Sequence, residues 1–324
     1  ILTAAGLYSI FRMPVLAFGI LFYLAGHSLE STIIPLEIAH EHRNYLPSFG
    51  LLFALIFYMA HPLKHLSSLR LRQAGALLLV ASFALGTSLR ANLWSDPLTH
   101  TTAESDNHPN SPRANLAIGQ VYMDLGLIDE GNREIFLTAA NYHFQRSSQL
   151  RESFVDGLFA QLFMKSKLGS TLPQDIQDEL LGRLEGQPFS STTVSWINYL
   201  TKCIARNECA IPDTQMHAII QAALANKNVR GRTKAELYTA ASNYYFYLRD
   251  YESVLYLAAE AANTQPSNPR YRVNLTNVLV LLGRLDDAKA ELEQAATDDR
   301  FSVYNTEIDR LSSIIADLRS QGVN

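Results

Sequence analysis

Two consecutive stretches of equal length decide the fold of this chain. Residues 235–268 read AELYTAASNYYFYLRDYESVLYLAAEAANTQPSN, and residues 269–302 read PRYRVNLTNVLVLLGRLDDAKAELEQAATDDRFS. Apolar and small residues recur in both at helical spacing, and neither stretch shows the alternation of a half-buried strand. A register that continues from the first stretch into the second without slippage indicates a repeated helix–turn–helix unit that buries its apolar face against its neighbours.

The two windows fit the tetratricopeptide template. The second has Leu275 at position 7 and Gly283 at position 15, and the first has Tyr245 at position 11 and Pro266 at position 32. Small residues let the two helices of a unit approach each other, bulky ones fill the space between them, and proline ends the second helix. Arg249 departs from the template, because it stands at position 15, where glycine is usual.

The repeat pattern weakens towards the N-terminus. A third copy is expected at 112–145, where Gly119 occupies position 8. Residues 147–232 keep a helical pattern without the template, which predicts degenerate helical hairpins, and 303–319 is expected to cap the last repeat. We therefore predict an all-α fold in which 113–324 forms a tetratricopeptide-like α-solenoid behind transmembrane helices.

The front third of the chain differs in charge. Residues 1–95 hold nine charged residues, against forty-nine in 96–324. Three long apolar runs lie among these few charges: residues 13–26, 46–59 and 74–89. Each is somewhat shorter than a membrane span, which takes about 20 residues, although flanking His, Ser and aromatic residues can complete one. We expect 1–95 to be a membrane domain of about three transmembrane helices, with three buried core helices as the alternative.

Loop composition predicts the topology and the boundary of this domain. The short loop 61–73 carries Lys64, Arg70 and Arg72, and the positive-inside rule places such a loop in the cytoplasm. The loop 27–45 and everything after the last span then lie outside. The polar, proline-containing stretch 96–112 is expected to be a linker.

The outer loop concentrates ionisable groups beside the membrane surface, among them Glu41, His42 and Arg43. Such groups are costly at membrane depth and usually have partners or a task. Arg and His offer donors that suit a phosphate, and an ion pair that anchors the loop at the interface is the alternative. No metal is expected here, since the spacing of a zinc helix is absent.

The repeat part shows no catalytic constellation, no phosphate loop and no basic stripe for nucleic acid. Its candidate binding residues lie on first helices: Asn243 and Asn277 occupy equivalent positions in the two windows, with Phe246 and Tyr247 nearby. They could hold an extended peptide on the concave face of the array, and solvated helix faces are the alternative.

Cys203 and Cys209 are the only cysteines. Their spacing fits neither a metal site nor a thioredoxin-like motif. Outside the cytoplasm they are expected to form a local disulfide, and two unpaired thiols are the alternative.

The outer loop and the start of the next apolar run also contain residues that match the sequence pattern of a known protein family. Five residues match the pattern Glu-Arg-x-x-Tyr-x-Pro-Ser-x-Gly in spacing: Glu41, Tyr45, Pro47, Ser48 and Gly50. The chain thereby resembles the glycosyltransferases of the GT-C class that end in tetratricopeptide repeats, among them the transmembrane-and-tetratricopeptide O-mannosyltransferases and similar bacterial proteins. His42 fills the Arg position and Arg43 is displaced by one.

The resemblance implies sugar transfer from a polyprenyl-phosphate donor to a protein or glycan acceptor, without a cofactor. The donor phosphate would meet Glu41, His42, Arg43 and Tyr45, and the repeats would lie in the periplasm beside a bacterial inner membrane. The catalytic carboxylate of such enzymes lies upstream, and the chain, which opens with Ile1, is expected to be a C-terminal fragment. A non-enzymatic membrane-anchored scaffold for envelope or pilus assembly and an O-antigen ligase or polymerase are the alternatives.

Overall fold

The computed structural model describes residues 1–32, 44–61 and 69–321, and these ranges contain helices and connections but no strand. The prediction of an all-α fold is confirmed. The chain divides into two compact units, Ile1–Asn92 and Leu93–Asn324.

The first unit is built on the packing of α1 against α2 and of α2 against α3. Its helices are α1 (Leu2–Ser9), α2 (Pro14–Thr32), α3 (Tyr45–Ala60) and α4 (Leu69–Leu93). At the crossing of α2 and α3 the two backbones touch. A Cβ added to Gly19 would lie 2.6 Å from the carbonyl oxygen of Gly50, and one added to Gly50 would lie 2.9 Å from that of Gly19. Only glycine at both positions allows this approach.

Helix α4 differs from the others in its exposure. The segment Arg70–Leu93 is long and apolar enough to cross a membrane, and no residue of its apolar span is buried in the described part of the chain. The apolar helices Pro14–Ser28 and Tyr45–Ala60 are shorter. Of the three predicted spans, the third alone therefore reaches full length within the described residues.

Arg72 joins α4 to the end of α3. Its Nη1 donates to the carbonyl oxygens of Met59, at 3.2 Å, and Ala60, at 3.1 Å. The last carbonyls of a helix lack partners within the helix, so a guanidinium there satisfies them and opposes the negative end of the helix dipole. Arg72 thus has a structural role beyond its predicted effect on topology, and Lys64 lies outside the described residues.

The second unit is an array of short helices, most of which pack on the next helix in the chain. They are α5 (Pro97–Asn107), α6 (Pro112–Ile128), α7 (Arg133–Leu150), α8 (Asp156–Lys167), α9 (Gln174–Gly186), α10 (Ser191–Ala205), α11 (Asp213–Ala225), α12 (Gly231–Tyr247), α13 (Tyr251–Thr264), α14 (Pro269–Leu281), α15 (Leu285–Asp298) and α16 (Asn305–Ser320). Neighbouring helices pair as α6 with α7, α12 with α13 and α14 with α15, while α9 packs on α11 and α10 on α12.

The expected linker at 96–112 is not a plain linker, because it contains α5. The Asp96 carboxylate accepts a hydrogen bond from the backbone N–H of Thr99 at 2.8 Å and so caps this helix. Pro97 and Pro112 stand in the first turns of α5 and α6, where proline is well tolerated. Two of the prolines that suggested a linker therefore begin helices, and α5 packs against α6.

Four helices of this unit end in a left-handed residue. These are α8, α10, α12 and α14, and their left-handed residues, two positions past the last helical residue, are Gly169 (φ 65°), Asn207 (φ 54°), Arg249 (φ 59°) and Gly283 (φ 72°). In each case the N–H of the following residue donates to the carbonyl five residues before it, so the four helix caps are of one kind although the connections differ in length.

The positions that the repeat template assigns to the interior are buried. In the second window these are Leu275, Ala288 and Ala295, and in the first they include Tyr245 and Ala261. In the weaker copy, α6 and α7 approach closely at Gly119, where an added Cβ would lie 2.6 Å from the ring of Phe144. Small residues at the template positions thus allow the helix packing that the sequence pattern predicts.

Cys203, near the end of α10, is joined to Cys209 in the following turn by a disulfide, with Cα atoms 5.6 Å apart. This separation is within the range that disulfides span. Asn207 lies between them with its left-handed backbone, and the N–H of Glu208 donates to the carbonyl of Cys203 at 2.9 Å. The turn brings the two cysteines together.

Candidate functional site

The predicted donor-phosphate residues fall largely outside the described ranges. This is so for Glu41, His42 and Arg43, whereas Tyr45 begins α3 and is 75% exposed. Two further residues of the resemblance have packing roles: Gly50 contacts α2, and a Cβ on the α2 residue Gly26 would lie 2.7 Å from the ring of Pro47. The described part of the motif therefore holds α3 against α2.

A surface cavity of 710 Å³ lies between α10 and α12, and we call it the α10–α12 cavity. It is lined by Asn198, Thr201, Lys202, Ala205, Asn243, Phe246, Tyr247, Arg249 and Tyr251. Three of the four predicted partner-binding residues are thus brought together. Phe246 is 49% and Tyr247 is 40% exposed, so both rings are open to a ligand.

The amide of Asn243 bridges two helices. Its Nδ2 donates to Oδ1 of Asn198 on α10 at 3.1 Å. An asparagine amide has two N–H donors and an acceptor oxygen, so this bond uses one donor and leaves hydrogen-bonding capacity towards the cavity. The pair aligns two amides along the surface.

Asn277 occupies the equivalent position on α14 but does not line this cavity. Its Nδ2 donates to the carbonyl of Val273 at 3.0 Å, and its Oδ1 accepts from Nη2 of Arg310 on α16 at 3.0 Å. Arg310 also pairs with Glu307, and this hydrogen bond holds the pKa of the Glu307 carboxyl below its usual value. The two predicted asparagines therefore have different environments.

A second cavity, of 420 Å³, extends the same face to α14. It shares Asn198, Lys202 and Asn243 with the first and adds Glu236 and Arg270. The faces of α10, α12 and α14 thus form one surface in which amide groups are flanked by charges of both signs.

A third cavity, also of 420 Å³, lies among α6, α8 and α10, and we call it the aromatic pocket. It is lined by Gln120, Met123, Asp124, Phe163, Thr192, Ser195, Trp196 and Tyr199. The Tyr199 ring centroid lies 4.9 Å from that of Phe163 and 5.9 Å from that of Trp196. Sequence analysis missed this pocket, although the Trp196-x-x-Tyr199 spacing places two aromatic residues on one face of α10.

Asp156, at the start of α8, lies behind the aromatic pocket and is 6% exposed. Burial raises the pKa of its carboxyl, while a hydrogen bond from Trp196 and the charge of Arg113 act in the opposite direction. Its Oδ1 has no hydrogen-bond partner among the described residues. The burial of this carboxyl therefore carries a cost in desolvation.

No group of three or more His, Cys, Asp or Glu side chains is placed to hold a metal ion in residues 1–32, 44–61 and 69–321. No family model, no curated protein and no solved structure matches this chain.

Proposed function

We propose that the second unit is a tetratricopeptide-like solenoid that binds an extended polypeptide segment, and that the first unit fixes it to a lipid bilayer. The observation that supports binding is the continuous face of α10, α12 and α14, whose two cavities share Asn198, Lys202 and Asn243. An extended segment exposes backbone N–H and C=O groups, which the amides can satisfy, while exposed rings such as Phe246 supply apolar contact.

Local structure that recurs at the length of one window supports the repeat architecture. Helices α13 and α15 begin at Tyr251 and Leu285, which hold the same position in the two windows. The left-handed residues Arg249 and Gly283 are also equivalent in this register. A local conformation that recurs at the period of the sequence pattern is the property expected of stacked repeats.

The exposure of α4 supports the membrane proposal. A helix from the core of a water-soluble protein buries its large apolar residues, whereas Leu77 and Leu78 of α4 are 72% and 70% exposed. Soluble proteins rarely expose a continuous apolar helix surface to water, whereas such a surface is favourable in contact with lipid tails. The cationic residues Lys64, Arg70 and Arg72 support a cytoplasmic loop before α4, which places the repeats in the periplasm of a bacterial cell.

The location is tested by adding protease to spheroplasts, with and without detergent. We expect digestion within residues 96–321 without detergent, because the repeats would face the protease. If digestion requires detergent, the repeats are on the cytoplasmic side and the proposed topology is wrong.

Polypeptide binding is tested on the full chain in detergent micelles with an unbiased array of extended peptides. Asn243→Ala and Phe246→Ala are expected to weaken binding by about tenfold each, since each removes a contact from the groove. Asn263→Ala is the matched control, because Asn263 is exposed on α13 and lies away from these cavities. Equal losses for Asn243→Ala and Asn263→Ala would exclude the groove as the binding surface.

Glycosyl transfer is a second proposal. It is favoured by the crossing at Gly19 and Gly50, which fixes the start of α3 and so the exposed Tyr45 beside the outer loop. A polyprenyl-phosphate sugar would bind there, with the repeats holding a protein or glycan acceptor. The double substitution of His42 and Arg43 by Ala is expected to abolish transfer to a surface glycan without loss of the protein from the membrane. Unchanged transfer would favour the non-enzymatic scaffold.

A further inference from the structure

Three aromatic rings line the aromatic pocket and pack on one another at separations usual for aromatic pairs. Tyr199 lies between Phe163 and Trp196, with centroid separations of 4.9 and 5.9 Å. The faces of such rings carry negative electrostatic potential and attract ammonium and guanidinium groups within about 6 Å of the centroid. The rings thus offer a surface that favours a cation over an apolar group of the same shape.

The indole of Trp196 is held in place from behind. Its ring is stacked on the buried Phe159 at a centroid distance of 6.0 Å and an interplanar angle of 3°. A ring that is already fixed loses little conformational entropy when a ligand binds.

The charge at the pocket is negative. Among the described lining residues Asp124 is the one that carries a charge, and the described part of the chain gives it no hydrogen bond or ion pair. Loss of solvent around this carboxyl raises its pKa, with no opposing contribution from a nearby cation. Asp124 is exposed, so water solvates its charge in the free protein, and a cationic ligand would replace part of that water with an ion pair.

A cation already lies on one of these rings. Nζ of Lys167 is 5.4 Å from the ring centroid of Phe163, and its charge is paired with Glu208 at 3.4 Å. Lys167 does not line the pocket. The same aromatic cluster therefore accommodates an ammonium group on its outer side, and the pairing with Glu208 limits the repulsion that a second cation would meet.

The pocket also continues into the proposed peptide groove. Ser195 on α10 lines both the aromatic pocket and the neighbouring cavity that reaches α14. A polypeptide on that face therefore passes the mouth of the pocket, and a volume of 420 Å³ accommodates one long side chain.

We propose that the aromatic pocket receives a Lys or Arg side chain of the bound polypeptide, with the cation against the ring surfaces of Phe163, Trp196 and Tyr199 that line the pocket and with Asp124 as its counterion. This inference rests on the proposed function, since it names the residue class that the groove selects. The aliphatic stem of the side chain would pack on Met123 at the pocket wall.

Trp196 itself can report the binding. The chain has two tryptophans, so the full chain carrying Trp94→Phe leaves Trp196 as the one indole emitter. In detergent micelles it is titrated with short Ser/Ala peptides that differ at one central position: Lys, Arg, norleucine or Glu. We expect the Lys and Arg peptides to bind about tenfold more tightly than the norleucine peptide, and the Glu peptide to bind most weakly.

Two substitutions test the origin of this preference. Asp124→Asn keeps the shape but removes the charge, and Tyr199→Leu replaces a half-exposed ring by an aliphatic group. In each variant, the affinity for the Lys peptide divided by the affinity for the norleucine peptide is expected to fall towards one. Asn243→Ala is the control, because it should weaken all four peptides and leave that ratio unchanged.

The outcomes separate the two proposals. If the peptides bind but Lys, Arg and norleucine bind equally, the inference is wrong and the groove remains a polypeptide site. If no peptide binds at any central residue, the proposed function fails and the inference fails with it. If the preference for Lys persists in both Asp124→Asn and Tyr199→Leu, the cation binds elsewhere and the pocket assignment is wrong.

Discussion

Arg249 and Gly283, at equivalent positions of the two sequence windows, follow α12 and α14 with the same left-handed backbone, at φ 59° and 72°. The N–H of Arg249 donates to the carbonyl of Phe246 and that of Gly283 to the carbonyl of Val280, both at 3.1 Å. In both helices the next N–H reaches back to a further carbonyl, as in a Schellman cap. Arginine therefore adopts a conformation that glycine adopts without strain.

This relationship predicts opposite effects for two substitutions. A left-handed non-glycine residue costs about 1 kcal/mol, so Gly283→Ala should lower the free energy of unfolding by about that amount. Arg249→Gly should raise it by roughly 0.5 kcal/mol, because relief of the strain exceeds the added freedom of the unfolded chain. The measurement is urea unfolding of the full chain in detergent, followed by Trp196 emission in the Trp94→Phe background.

Gly182 supplies the control for these substitutions. It lies inside α9 without positive φ, and a Cβ there would meet no atom within 4 Å. Gly182→Ala should therefore stabilise the protein by about 1 kcal/mol. If Gly283→Ala stabilised it as well, the left-handed cap at the end of α14 would be wrong.

The Arg249 position shows what sequence reasoning could and could not supply. Spacing alone placed it at the end of a first helix, because a repeat is a local pattern that can be read along the chain. The aromatic pocket was missed because Phe163 and Tyr199 lie on helices outside the template windows and Asp124 lies in the weaker copy, and spacing does not reveal which of these helices meet. Helix α5 was missed because proline and capping residues were interpreted as signs of a linker, although they also begin helices.

The disulfide predicts a redox-dependent stability. Cross-linking Cys203 to Cys209 closes a short loop, and the loss of unfolded-chain entropy corresponds to about 2 kcal/mol. The paired substitution Cys203→Ser with Cys209→Ser should therefore lower the free energy of unfolding by about that amount, and a reductant should have the same effect on the wild type. Alkylation of the unfolded, unreduced protein, followed by mass measurement, should add no label; two added labels would show free thiols.

The close crossing of α2 and α3 predicts that a side chain larger than that of glycine at position 19 destabilises the first unit. A Cβ at Gly19 would lie 2.6 Å from the backbone oxygen of Gly50, and neither backbone can give way without separating the helices. Gly19→Ala should therefore lower the thermal stability of the unit in detergent, measured by aggregation on heating. Gly86→Ala is the control, because a Cβ there meets nothing within 4 Å. Equal midpoints for the two variants would show that α2 and α3 do not touch at glycine.

The buried carboxyl of Asp156 predicts a pH-dependent stability. Because burial raises its pKa above the ordinary 3.8, the folded state holds its proton to a higher pH than the unfolded state does. The free energy of unfolding therefore falls as pH rises from the unfolded-state pKa to the folded-state pKa. Above both pKa values the full cost of burying the ionised carboxylate is present. Asp156→Asn keeps the shape of the side chain and removes the buried charge, so it should stabilise the protein at pH 7.

Asp250 provides the comparison of opposite sign. The hydroxyl of Ser253, and to a smaller extent its backbone N–H, donate hydrogen bonds to Asp250 and hold the pKa of this carboxyl below 3.8. The stabilisation that the carboxylate contributes is therefore fully present above the unfolded-state pKa and is lost as pH falls through the folded-state pKa. Asp250→Asn should therefore destabilise the protein at pH 7, whereas Asp156→Asn stabilises it, and both differences from wild type should shrink towards pH 3. Urea midpoints measured at several pH values check both signs. A destabilised Asp156→Asn protein at pH 7 would mean that attraction to Arg113 outweighs the burial of the charge.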